Sequence, residues 1–259
     1  MKNIFSESDE LDFDKMNCLY DKKVTCPVCG ADFTVKAVKT SSYRMKGKDS
    51  DFFIRYDIIN PYFYDVWICN DCGYSAMKVD FDKIKSFQKN LVKSKITPKW
   101  RARTYNVPYD VNTAIERYKL SLLNYFYIES YASKKAMNCL KIAWMFRILE
   151  DTDSEQNFLS QALKNFNDAY YNEDFPIYGM DKFTIMYLIG ELNRRLGNNE
   201  DALIWFSNVI TSPMASPKIK NMARDQKDLI KKPTISEEND SSQSSSNKKK
   251  GFLSSLFRK

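Results

Sequence analysis

A chain of 259 residues with 43% apolar and 14% aromatic content can bury one large core or two smaller ones without staples, which excludes global disorder. It contains no histidine, so Ser-His and Cys-His nucleophiles, H-E-x-x-H metal sites and imidazole general bases are excluded. The formal net charge is +7, but Lys248, Lys249, Lys250, Arg258 and Lys259 supply five of those charges within the last twelve residues, which leaves the body nearly neutral.

The opening stretch, Met1 to Met16, carries Glu7, Asp9, Glu10, Asp12 and Asp14 and lacks the basic flank and apolar run of a secretory signal. No run of 18 apolar residues occurs, so no membrane-spanning helix is expected. The chain reads as cytoplasmic, with Cys18 and Cys139 as free thiols.

Two short motifs follow, Cys26-Pro27-Val28-Cys29-Gly30 and Cys69-Asn70-Asp71-Cys72-Gly73. A C-x-x-C turn wraps its amides toward the sulfurs, and the residue after it often needs positive φ, which glycine supplies. Cys26, Cys29, Cys69 and Cys72 can therefore surround one tetrahedral ion, and without histidine no mixed site competes. The expectation is structural Zn²⁺; all-sulfur coordination also suits iron, and the spacing does not separate the two metals. An ion closed by four protein ligands leaves no open position for water or substrate, so it organises structure. Thirty-nine residues lie between Cys29 and Cys69, against roughly 15 to 20 in a compact ribbon. The ribbon thus carries an insertion. Within it, Phe33 to Val38 and Tyr62 to Ile68 are β-rich and expected to pair, bringing the knuckles together, while Lys39 to Asp51 reads as a loop.

After Asp80 the periodicity becomes helical. Ile84, Phe87, Leu91 and Val92 form one face of a first helix that must end before Pro98. Its other face belongs to an acid-free basic stripe from Lys83 to Arg103. Asp110 caps a second helix, a third covers about residues 134–149, and Asp153 with Gln156 resembles a capping box opening a fourth. A fifth spans about 181–196 and stops at Gly197-Asn198. A sixth covers about 200–211, and Ser216-Pro217 starts a seventh.

Three of these helices share alanine, an aromatic four residues on, and a small or β-branched residue three further: Ala114/Tyr118/Ser121, Ala162/Phe166/Ala169 and Ala202/Phe206/Val209. The segment from Ile185 to Ile210 resembles a tetratricopeptide repeat, with Gly190, Leu196-Gly197, Ala202 and Phe206 at that family's small, turn and packing positions. It departs by carrying Asn193 where the family usually has tyrosine. That resemblance implies a concave groove for a partner peptide, lined by Leu140, Trp144, Arg147, Thr184, Tyr187, Glu191 and Arg194. An ordinary antiparallel bundle would bury the same residues.

Residues 233–247 are rich in Ser, Asn, Glu and Gln and read as a disordered linker. Beyond them Phe252, Leu253, Leu256 and Phe257 share one face if helical, flanked by Lys248, Lys249, Lys250, Arg258 and Lys259. Such a segment suits an anionic membrane surface or a partner's groove. The implied organisation is a zinc-ribbon-like domain over 1–79, a tetratricopeptide-like helical domain over 80–232, the linker, and a basic amphipathic tail over 248–259. The fold class is α+β, mainly α: a small N-terminal β-rich zinc ribbon followed by an antiparallel tetratricopeptide-like helical array.

The C-P-x-C-G knuckle, the run Asn60-Pro61-Tyr62-Phe63-Tyr64-Asp65-Val66-Trp67-Ile68-Cys69, then Cys72-Gly73-Tyr74-Ser75-Ala76 and the helical body together resemble one bacterial family, domain of unknown function 2225. The resemblance covers about residues 16–230 and transfers only the four metal ligands. It names no activity. On residue chemistry the leading expectation is a non-enzymatic protein-interaction adaptor, peripheral at the inner face of the membrane if the tail engages lipid. The alternative is a nucleic-acid-binding protein using the ribbon and residues 83–103, with Phe87 and Trp100 stacking on bases.

Overall fold

The computed structural model describes residues 7–231, with side chains from residue 12 onward. The linker and basic tail of the sequence reading lie outside the described residues. Helix α1 (Glu7–Asn17) leads into β1 (Leu19–Thr25), which pairs antiparallel with β2 (Asp32–Val38), Leu19 opposite Val38 and Thr25 opposite Asp32. A second hairpin joins β3 (Met45–Lys48) to β4 (Ile54–Tyr56), and a third joins β5 (Val66–Ile68) to β6 (Ser75–Met77). Each cysteine knuckle is the turn of its own hairpin, the first between β1 and β2 and the second between β5 and β6.

This corrects the expected pairing of Phe33–Val38 with Tyr62–Ile68. Only Val66–Ile68 of the second run is strand. Asn60 accepts a hydrogen bond from the Tyr62 N–H at 3.0 Å and caps a 3₁₀ turn over Pro61–Tyr64, where Pro61 has no N–H to give a ladder. The expected loop from Lys39 to Asp51 likewise contains β3. Its hairpin closes through the Asp49 N–H to the Phe53 carbonyl (2.8 Å) and a two-pronged Arg55–Asp49 ion pair (2.9 and 3.0 Å).

The rest is helical. A short α2 (Ser86–Leu91) runs on through a π turn (Val92–Ile96), and α3 (Val111–Tyr127), α4 (Ala132–Ile148), α5 (Thr152–Asn172), α6 (Lys182–Arg195), α7 (Asn199–Thr211) and α8 (Pro217–Lys231) follow. Aspartates cap three of them by accepting an N–H three residues on: Asp110 from Thr113, Asp151 from Ser154 and Asp181 from Thr184. The fourth predicted helix therefore starts two residues before the proposed capping box. Asp151 is its cap, and Gln156 donates to the Arg195 carbonyl instead. Short connections stack α3 to α8 as successive antiparallel neighbours. The small and aromatic triplets are all buried, and the bare face of Gly190 is where the Phe206 ring fits.

One hydrophobic core runs from Val24 in the first hairpin to Leu192 in α6. Helix α3 lies against β5 and β6, so its side chains tie the cysteine-bearing hairpins to the array. Asn124 accepts the Ser75 N–H and donates to the Ser75 hydroxyl, while Tyr125 accepts the Met77 N–H and donates to Asp80. These bonds satisfy backbone groups that the short β5–β6 ladder leaves unpaired.

Candidate functional site

The two knuckles meet face to face. The Sγ atoms of Cys26, Cys29, Cys69 and Cys72 all lie within 4.8 Å of one another, with Cys26–Cys72 and Cys29–Cys69 each at 3.6 Å. A tetrahedron with metal–sulfur bonds of about 2.3 Å has edges of about 3.8 Å, so the four sulfurs stand where one ion would hold them. Matching backbone bonds build both knuckles: Gly30 N–H to Cys26 carbonyl and Cys26 N–H to Ala31 carbonyl in one, Gly73 N–H to Cys69 carbonyl and Cys69 N–H to Tyr74 carbonyl in the other. Gly30 and Gly73 have φ of +79° and +78°, which explains the glycine closing each motif. Cys26, Cys69 and Cys72 are buried, and Cys29 faces solvent.

The thiols are electrostatically unequal. The Cys72 S–H pointing at Cys26 draws the Cys26 thiol down to about 5, against the opposing effect of burial, whereas burial pushes Cys69 up to about 11. Cys72 is raised further, chiefly because its proton is held by Cys26. Packed sulfurs cannot all be thiolates without a cation among them, and a metal ion held there would supply that charge. Cys18 and Cys139 are buried free thiols remote from this cluster, as expected.

The second knuckle is clasped by the segment after the π turn. Thr97 donates to the Cys72 carbonyl (2.8 Å), Trp100 Nε1 donates to the Asn70 carbonyl (2.7 Å), and Asn70 exchanges bonds with the Arg103 backbone. The Trp100 ring covers Gly73 so closely that a Cβ there would lie 2.6 Å from it. The sequence reading places Trp100 and Arg103 in a basic stripe, with Trp100 as a base-stacking ring, and does not foresee the clasp. Their structural role has no periodic signature, because a clasp is formed by irregular chain. Lys83, Lys85, Lys93, Lys95, Lys99, Arg101 and Arg103 remain exposed, while Ile84, Val92 and Ile96 turn into the core.

The predicted groove residues are brought together, but the chain itself covers them. The β3–β4 connection, Asp49 to Phe53, lies along α4 and α6. Phe53 stacks on Trp144 (centroids 5.3 Å apart), Phe52 packs on Tyr187, and Trp144 Nε1 donates to Asp51 at 3.0 Å. Arg147 bridges Asp49, Asp51 and Glu155. Tyr187 donates to the Ser50 carbonyl, Ser50 to Glu191, and Arg194 holds Glu191 from the side. Leu140 is core, and the Thr184 N–H is taken by the Asp181 cap. An open peptide groove on this face is thus corrected: the ribbon's insertion supplies an acidic, aromatic segment that matches the arginines and rings beneath it.

Among the described residues no helix is long and apolar enough to cross a membrane. The model of a family described as "Uncharacterized protein conserved in bacteria (DUF2225)" matches residues 19–230, from β1 to the end of α8. The chain belongs to that family. A curated Borreliella burgdorferi protein, itself called "Uncharacterized protein", is 22% identical over 162 residues, 56% of this chain and 58% of the other. The match therefore spans somewhat over half the length of that relative. No solved structure matches the chain.

Proposed function

We propose that this DUF2225 protein is a non-enzymatic adaptor, in which a structural Zn²⁺ held by Cys26, Cys29, Cys69 and Cys72 fixes the head against a tetratricopeptide-like array that receives another protein. Four sulfurs closing on one ion leave it no open coordination position, and the absence of histidine removes the commonest acid–base group. The observation that carries the reading is the corner where α2, α3 and α4 meet. Lys85, just before α2, donates to the Tyr131 hydroxyl and Gln88 to the Ile128 carbonyl, and Phe87 on α2, Leu123, Phe126 and Tyr127 on α3, and Tyr131 before α4 are exposed around this junction. Lys85 and Lys135 lie over the Tyr131 and Phe126 rings at 4.6 and 5.4 Å. Exposed aromatic side chains gathered in one place are hot-spot chemistry, and the lysines among them select an acidic protein segment. The basic tail adds contact with an anionic membrane or the same partner, which fits a location at the cytoplasmic membrane face.

Affinity capture of the tagged full chain from its own cells tests this, compared with Phe126→Ser/Tyr131→Ser and with removal of 248–259. A partner lost from the double variant at unchanged melting temperature supports the adaptor. The same partners retained by the double variant contradict the corner as the contact. Unchanged sedimentation of the tail-deleted chain with acidic liposomes removes the membrane contribution.

The exposed lysines of 83–103 beside this corner also favour a second reading, binding of nucleic acid. Trp100 is engaged by the knuckle, so Phe87 is the aromatic left for stacking in that segment. Micromolar RNA or DNA binding that weakens steeply with salt supports it, and no retention at low salt ends it.

A further inference from the structure

Arg117, on α3, is buried between the cysteine head and the array, and it has no carboxylate partner among the described residues. Its Nη2 donates to the Val66 carbonyl, and its Nε is buried with no acceptor. The rings of Tyr105 and Tyr109 flank the guanidinium at 5.1 and 4.6 Å. Ring faces attract a cation but offer no lone pair in the guanidinium plane, so the orphaned N–H stays unsatisfied. A buried charge without a counter-ion is costly, and native structures seldom keep one unless something completes it.

Arg117 also lines a cavity of about 240 Å³. Thr34 from β2, Asn70 from the second knuckle, and Arg103, Thr104 and Tyr105 from the clasp contribute to its walls. Arg103 is paired with Glu116, which also accepts from the Tyr105 hydroxyl. Glu116 thus offsets Arg103, and Arg117 is the charge left over.

We propose that this cavity binds a small oxyanion of the phosphate class, inorganic phosphate or a compact phosphomonoester, gripped by Arg117 and Arg103 at the junction of head and array. A tetrahedral oxyanion presents separate oxygen pairs to two guanidinium forks, which a single carboxylate cannot do. The cavity is below the roughly 300 Å³ at which drug-sized ligand pockets begin, so the ligand is compact. Because the walls come from β2, the knuckle and α3 together, the bound anion would also tie the head to the array.

Calorimetric titration of the full metal-loaded chain with inorganic phosphate and with methyl phosphate, at constant ionic strength, tests the site. Saturable binding is expected. Arg103→Ala, at an exposed position, should weaken it by about tenfold or more, as loss of a charged hydrogen-bond partner does. Glu116→Gln should strengthen it, because Arg103 is released. Binding of methyl phosphate as well as phosphate identifies a phosphomonoester site; binding of phosphate alone identifies a free-anion site. No saturation up to about 20 mM phosphate, weaker than any millimolar Kd, overturns the proposal. So does equal affinity in Arg103→Ala, or malonate binding where phosphate does not. If Arg117→Met fails to fold, the Arg103 and Glu116 variants still decide the matter.

Discussion

Replacing Asp51 by asparagine removes one charge from the seam where the insertion meets the array. Asp51 is fully buried and accepts from Trp144 Nε1 at 3.0 Å and from Arg147 Nη2 and Nη1 at 2.6 and 3.1 Å. Breaking a buried ion pair costs about 3–5 kcal/mol when a charge is left alone. Arg147 is not left alone, since Asp49 and Glu155 still hold it at 2.8 and 2.7 Å. The loss should then be that of one or two charge-assisted hydrogen bonds, about 2–3 kcal/mol. Arg147→Met is a different case. It strips the shared cation from three carboxylates at once, leaving Asp51 with Arg195 at 3.7 Å as its nearest cation. That variant should cost about 4–5 kcal/mol, near the top of the buried-pair range. For a domain this size each kcal/mol is worth about 2–4 °C, so Asp51→Asn should melt about 4–12 °C lower, with faster hydrogen exchange across residues 45–56. Lys46→Ala, which breaks an exposed pair with Asp57, is the control and should change stability by less than about 1 kcal/mol. An Asp51→Asn protein within about 0.5 kcal/mol of the parent, the scatter of neutral surface changes, would refute the seam's role. An Arg147→Met protein milder than Asp51→Asn would refute the charge argument.

Gly30→Ala meets only the strain of positive φ, about 1–2 kcal/mol, whereas Gly73→Ala also drives a Cβ into Trp100 and should cost clearly more, with altered near-ultraviolet circular dichroism; equal losses would remove the clasp from the account. Gly190→Ala places a Cβ 2.8 Å from Phe206, and chemical denaturation should find it about 1–3 kcal/mol less stable. Acid should act through Asp65: burial opposes its ionisation, but Lys141 and Lys78 outweigh burial and hold its carboxyl below the usual range. A depressed carboxyl gives stability that is present above the unfolded value of about 3.9 and is lost as pH falls below it. Lys141→Met removes the main cation, so its melting temperature should start lower and fall less on acidification than the parent's; parallel curves down to about pH 3 would contradict this.

Much of the architecture was legible because its signals are local. The two knuckles, the helix order and the aspartate cap at Asp110 follow from residue type and spacing, while the cap expected at Asp153 falls at Asp151. The seam was not legible. Ser50 and Asp51 look like loop residues, and their enclosure makes sense only beside Trp144, Arg147 and Glu191, 93 to 141 residues away in sequence. Polarity marks this stretch as loop but does not show which polar groups find partners inside. The strand pairing was misjudged for a related reason. Propensity marked Phe33–Val38 correctly as strand but could not choose its partner, and the polar run Leu19–Thr25, with Asp21, Lys22 and Lys23, hid the real one. Arg117 stands in an ordinary helical stretch, and only the packing of β5 on α3 reveals that it lacks a counter-ion.

The central claim is that Cys26, Cys29, Cys69 and Cys72 hold one metal ion that fixes the head. Metal analysis combined with X-ray absorption at the metal edge tests it most directly. The account predicts one zinc per chain with four sulfur neighbours at about 2.3 Å, lost in Cys69→Ser. A first shell containing nitrogen or oxygen in place of sulfur, or a chain fully folded and metal-free after purification without chelator, would contradict it.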